Sequence, residues 1–276
     1  MVGTFASVLF GLVASLCWGS GDFCGGLASR RASASTVVAL AYTFGFVLLL
    51  SLAVVVREPF LSLQDMLWGG VAGVLGLVSF YSALSIGRMG IVAPISAVLS
   101  AGLPVLFSAV IQGVPSLLRS GGFVLALLAI VFISRPGRAQ GRPGGVGLAL
   151  LAGCGFGCFF ILISRVSSGA TLWPLAVARF TSVLFLLGLL PFRGQRVEPR
   201  RASLPLVLLA GGLDALGNAF FILAAHAGRL DVASVLSALY PAATILLAAF
   251  VLRERVTRIQ SVGILLALVA IPLISA

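Results

Sequence analysis

Only a few residues of this 276-residue chain carry charge, and three of them stand where charge is costly. Asp214, in GGLDALGN, lies near the middle of a long apolar run, and Asn218 shares its helix face one turn on. Arg179, in AVARF, lies about two turns into another apolar run. Asp22, in WGSGDF, lies towards the end of the first run, on one helical stripe with Ser15 and Trp18. A charge in hydrocarbon costs a few kcal/mol, so each needs a reason. One reason is a polar cavity wall, with Asp214 able to carry a proton. Another is an ion pair of Asp214 with Arg179 that holds two helices in register. Arg179 could instead snorkel to the interface, and Asp22 could pair with Arg30 or Arg31 at the membrane surface.

The amphipathic rings add to this set. Trp18, Tyr42, Tyr81 and Tyr240 each sit in a different apolar run, and a ring with a polar handle suits a pocket for amphiphilic solutes. Packed or lipid-facing positions are the alternative for each. Tyr42 falls opposite Arg179 when the second and seventh runs are matched. Trp68 and Trp173 lie at run ends and read as interfacial anchors, and His226 reads as a solvated helix-end residue. Pro94 and Pro104 interrupt the fourth run and Pro241 the ninth, either as hinges beside a central site or as static kinks. No catalytic constellation is present: there is one His, no Lys, and no phosphate-binding Gly-rich loop, so an enzyme is not expected. Cys17, Cys24, Cys154 and Cys158 lie inside apolar runs with no His nearby and read as packing residues. No metal or other cofactor is expected.

The elements that must position these residues are membrane helices. The chain is 60% hydrophobic and 9% charged, against about 25% charged in soluble domains. Its apolar runs are long enough to cross about 30 Å of hydrocarbon as helix. Ten spans can be drawn, at about 5–27, 34–56, 65–86, 91–112, 117–134, 144–164, 172–192, 204–226, 232–252 and 258–275. The basic stretch from Arg135 to Pro143 divides the chain into halves, 1–138 and 139–276, and a second basic loop spans Arg193 to Arg201.

The halves are copies. Shifted by 141 residues, Phe80–Ser134 falls on Phe221–Ser275 without a gap, with 18 of 55 positions identical, Gly87-Arg88 on Gly228-Arg229 among them. Five spans per copy is odd, so the second copy enters the membrane from the opposite side, as an inverted repeat. The formal charge of +11 is all arginine, and 13 of the loop arginines fall in odd-numbered loops against four in even-numbered ones. This places the odd loops in the cytoplasm and both termini outside it. The basic charge thus sits at the membrane surface and does not point to nucleic acid. A monomer is expected, because one chain supplies both repeats.

The pattern resembles a known family. The Trp-Gly-Ser of the first span, APISAVLSAGLP in the fourth, and ASVLSALYPAATILLAAFVLRERV in the ninth are similar to the EamA family of the drug/metabolite transporter superfamily. The Leu-Gly-Glu that usually ends those spans is here Leu252-Arg253-Glu254 in the second copy, while Gln112-Gly113-Val114 lacks the Glu. The Arg common in the second span is Tyr42 here, and Arg179 keeps it in the second repeat. The resemblance implies a carrier of the bacterial inner membrane that moves small organic metabolites outward, amino acids and aromatic ones among them. Carriers of sugar phosphates in this superfamily would want more than one buried base. The similar four-span multidrug exporters use a Glu in the first span, which this chain lacks. Another small metabolite or drug, or a non-transporting scaffold, are the alternatives.

Overall fold

In the computed structural model, the described residues are 2–59, 62–85, 89–134, 146–167, 169–192, 194, 197–198 and 201–276; the side chains of residues 2, 66, 76–85, 89–94, 146, 148 and 202 lie outside the description. Among them the chain forms eleven α-helices: α1 Val2–Ser29, α2 Ala34–Val56, α3 Leu63–Ser85, α4 Met89–Ile111, α5 Leu117–Ile133, α6 Val146–Ile163, α7 Leu172–Phe192, α8 Leu204–Ala227, α9 Leu230–Ser237, α10 Tyr240–Val251 and α11 Arg258–Ser275. Six stretches are long and apolar enough to cross a membrane, and three shorter apolar helices accompany them. This is a multi-pass membrane protein. Large apolar side chains such as Val110, Leu128, Leu187, Phe250 and Leu268 stay exposed on its outside, where a bilayer covers them.

The duplication is visible in the packing. Packed pairs include α1 with α8, α3 with α6, α4 with α6, and α1 with α9 and α10. Exchanging the two copies turns the first pair into the second and the third into the last. Three further pairs, α2 with α7, α4 with α9, and α5 with α11, match an element with its own copy. Each of these three runs antiparallel. Gly122 near the start of α5 abuts Ile274 at the end of α11, and Gly263 near the start of α11 abuts Ile133 at the end of α5. A Cβ at either glycine would lie 2.8 Å from the isoleucine, so both contacts need the missing side chain. The polar contacts repeat in the same register. Arg119 Nε donates to the Ile274 carbonyl at 3.1 Å, and Gln260 Nε2 to the Ile133 carbonyl at 3.5 Å. Ser116 and Thr257, also matched, each cap the helix that follows.

The two copies differ at the fourth span of each. The copy-two span is broken: α9 ends at Ser237, and α10 restarts at Tyr240 with Pro241 in its first turn, where a missing N–H costs nothing. The copy-one span is continuous helix from Met89 to Ile111, through the buried Pro104. A proline removes one helical bond but need not end a helix packed among others. The Pro94 side chain lies outside the described residues.

Candidate functional site

Near the middle of the bundle α7 presents Arg179 to α8 and α2. Its guanidinium forms an ion pair with Asp214 and lies over the Tyr42 ring, 4.3 Å from the centroid. Arg179 is buried, so it does not snorkel to the interface. Close helix approach makes the meeting possible. A Cβ on Gly45 would lie 3.4 Å from the Gly211 carbonyl, and one on Gly21 3.5 Å from Leu213 Cβ. Small residues on α1, α2 and α8 thus leave the space that the charged side chains fill. Asn218 is buried, and its Nδ2 donates to the Asp214 carbonyl at 2.7 Å, tying the α8 backbone one turn apart.

Asp22, on α1, lies within electrostatic reach of Asp214, Tyr42 and Tyr240, which come from three other helices. It is exposed. Those neighbours stand on α8, α2 and α10. Arg30 does not pair with it: Arg30 reaches Glu254, 3.7 Å away, at the surface.

An aromatic wall adjoins the charges. Trp18, one turn before Asp22, stacks on Phe160 with centroids 5.3 Å apart, tilts against Phe221 at 5.9 Å, and meets Tyr240 edge-on at 6.4 Å. Phe160 and Phe221 lie 4.7 Å apart. The four rings come from α1, α6, α8 and α10. Gly217 accommodates the Trp18 indole, since a Cβ there would overlap Cδ1 and Nε1. Gly19 lets the α10 start reach α1, and Thr244 Oγ1 donates to the Gly19 carbonyl at 3.0 Å. The break after Ser237 therefore delivers Tyr240 to the wall. Tyr81 belongs to α3, and its side chain lies outside the described residues.

At one end of the bundle, polar contacts join the two copies. Arg57 takes the left-handed conformation, φ 55°, and closes α2 so that Glu58 turns towards α7. The Glu58 carboxylate accepts from the backbone N–H of Thr171, Leu172 and Trp173 at 2.7–3.0 Å, and Trp173 Nε1 donates to the Glu58 carbonyl at 3.1 Å. This is an anion at a helix N-terminus, supplied by the other copy. Asp65 accepts from Ser167 N at 2.8 Å. Arg229 is held by the fully buried Asp231 and donates to the carbonyls of Gln112 at 3.0 Å and Gly113 at 2.7 Å, the end of α4. His226 is half-buried, with Nε2 3.0 Å from the Val166 carbonyl, so it is a bridging residue and not a solvated one.

A family model described as the EamA-like transporter family matches residues 5–135 and again 143–276. The chain belongs to the EamA-like transporter family. No curated protein matches it. One solved structure, described only as the crystal structure of a protein, superposes with a TM-score of 0.72 at 20% identity, covering 97% of this chain and 95% of that one. That likeness concerns the fold.

In this EamA-like chain, Trp18, Asp22, Tyr42, Arg179, Asp214, Asn218 and Tyr240 gather in one neighbourhood built by helices of both copies. The sequence reading missed Phe160 and Phe221, which pack against Trp18, and Gly217, which makes room for it. Nothing in a run such as FGCFFILI distinguishes a ring facing a site from one facing lipid. It also missed Glu58, although a carboxylate just past a helix end, followed by a Leu-Trp-Pro helix start elsewhere, is the raw material of a cap.

Proposed function

We propose that this protein is an alternating-access carrier of two inverted five-helix repeats, crossing the bacterial inner membrane ten times with both termini outside the cytoplasm. It acts as a monomer and exports small organic metabolites, amino acids and aromatic ones among them. The observation that carries the reading is the central neighbourhood in which Arg179, Asp214 and Asp22 adjoin the wall of Trp18, Phe160, Phe221 and Tyr240. A site shared by both copies changes its access when one copy rocks against the other. The antiparallel pairs α2–α7, α4–α9 and α5–α11 supply matched surfaces for that rocking, and the end where Glu58 and Arg229 join the copies serves as one gate. The rings take the apolar body of the solute, and Arg179, Asp214 and Asn218 orient its polar groups.

The test is uptake of labelled amino acids and related metabolites into proteoliposomes, with and without a pH gradient. A carrier saturates and is stimulated by unlabelled solute on the far side. Flux that rises linearly with concentration would indicate a channel, and no flux above empty liposomes would remove the carrier reading. Asp214→Asn should lower flux, and unchanged flux would remove Asp214 from the site.

A further inference from the structure

The charges of the central neighbourhood do not balance. Arg179 is committed twice, to the Asp214 carboxylate and to the face of Tyr42, and is buried. Asp22 is committed to nothing: among the described residues no group donates a hydrogen bond to it and no base pairs with it. It is exposed, its neighbours stand on α2, α8 and α10, and the charge that acts on it is a second carboxylate, Asp214. One guanidinium and two carboxylates leave a formal excess of one negative charge. Two aromatic side chains stand near that carboxylate, Trp18 one turn before it on α1 and Tyr240, which meets Trp18 edge-on, at the start of α10. A free carboxylate beside an aromatic cluster is complementary to a protonated amine attached to an apolar body.

We propose that Asp22 is the counter-ion for the substrate's ammonium group and sets the charge selectivity of the site. It follows that an amine binds more tightly than the amino acid of the same skeleton, and the amino acid more tightly than the acid without its amine. A substrate carboxylate has no free base to meet. It could reach Arg179 only by displacing Asp214, which would leave that carboxylate unpaired in the interior. The inference takes from the carrier reading only the location of the site.

The experiment is calorimetric titration of the full-length protein in nanodiscs with three probes of one skeleton: 2-phenylethylamine, phenylalanine and 3-phenylpropionate. The wild type should bind them in that order of decreasing affinity. Asp22→Asn should weaken the amine about ten- to a hundredfold, the range for a hydrogen bond to a charged group, and erase the amine-over-acid preference. Asp22→Glu should keep the preference. Asp22 accepts no hydrogen bond and faces a like charge, so Asp22→Asn should melt no lower than the wild type; the wild-type ranking stands as a second, variant-free criterion. The inference is overturned if the acid binds the wild type as tightly as the amine, if the amine does not bind at all, or if Asp22→Asn binds the amine unchanged. Amine binding through Asp22 without flux in proteoliposomes would sink the carrier reading alone. Saturable flux indifferent to Asp22→Asn would sink the inference alone.

Discussion

Removing the guanidinium of Arg179 isolates a carboxylate inside the bundle. The Arg179 side chain is 10% exposed and that of Asp214 35% exposed. Breaking a fully buried pair from one side costs about 3–5 kcal/mol, because the remaining charge has lost its partner. Asp214 keeps some access to solvent, which places Arg179→Ala at about 2–4 kcal/mol. Asn218, whose amide also bonds the Asp214 backbone carbonyl, supplies a neutral donor and cannot replace the lost charge. Asp214→Asn strands the opposite charge and leaves Arg179 only the Tyr42 ring. The double variant Arg179→Ala with Asp214→Asn strands neither charge, so it should cost less than the two single changes summed, with a coupling of at least about 1.5 kcal/mol. Thermal unfolding in nanodiscs reads this as a loss of about 5 °C for Arg179→Ala and a smaller loss for the double variant. Additivity within about 0.5 kcal/mol would refute the reasoning: the two side chains would then be neighbours without being energetic partners.

Other expectations follow from the same geometry. Gly122→Val and Gly263→Val should destabilise by similar amounts, about 1–3 kcal/mol each, because both press on matched isoleucines; melting temperatures of the two variants should agree. Gly217→Ala should displace the Trp18 indole, with a shift in tryptophan emission and weakened solute binding, and an unchanged spectrum would contradict the packing described. Glu58→Ala removes the acceptor for three backbone amides at the start of α7 and should cost about 1–2 kcal/mol, with faster amide exchange at Leu172 and Trp173.

The membrane class and the duplication could be read from the amino acids because both rest on patterns that survive substitution: apolar runs of fixed length, and a Gly-Arg pair recurring after 141 residues. The register found in the linear sequence is the one that places Gly122 on Ile274 and Gly263 on Ile133. Arg179, Asp214 and Tyr42 were legible because charge in hydrocarbon demands a partner, and the matching of the second and seventh spans had already put Tyr42 opposite Arg179. Their pairing, left open against snorkelling of Arg179, is decided by the close approach that Gly45 and Gly211 permit. The state of Asp22 was not legible, since Arg30 and Arg31 follow it closely in sequence and only the fold sends Arg30 to Glu254. Proline alone did not distinguish the two fourth spans. Pro104 is carried inside a helix, whereas Pro241 opens one after a real break, and the difference lies in the packing of α10 on Gly19.

The central claim is that the end where polar contacts join the copies must open for solute to cross, and Arg229 offers the most direct handle on it. Cysteines placed at Gly113 and Arg229, in a chain whose four native cysteines are replaced by serine, can be joined by a short bifunctional thiol reagent across the contact that now runs from Arg229 to the Gly113 carbonyl. Alternating access requires solute flux in proteoliposomes to fall to the empty-liposome level when the bridge is closed and to return when it is cleaved. Undiminished flux through the bridged protein would contradict the account.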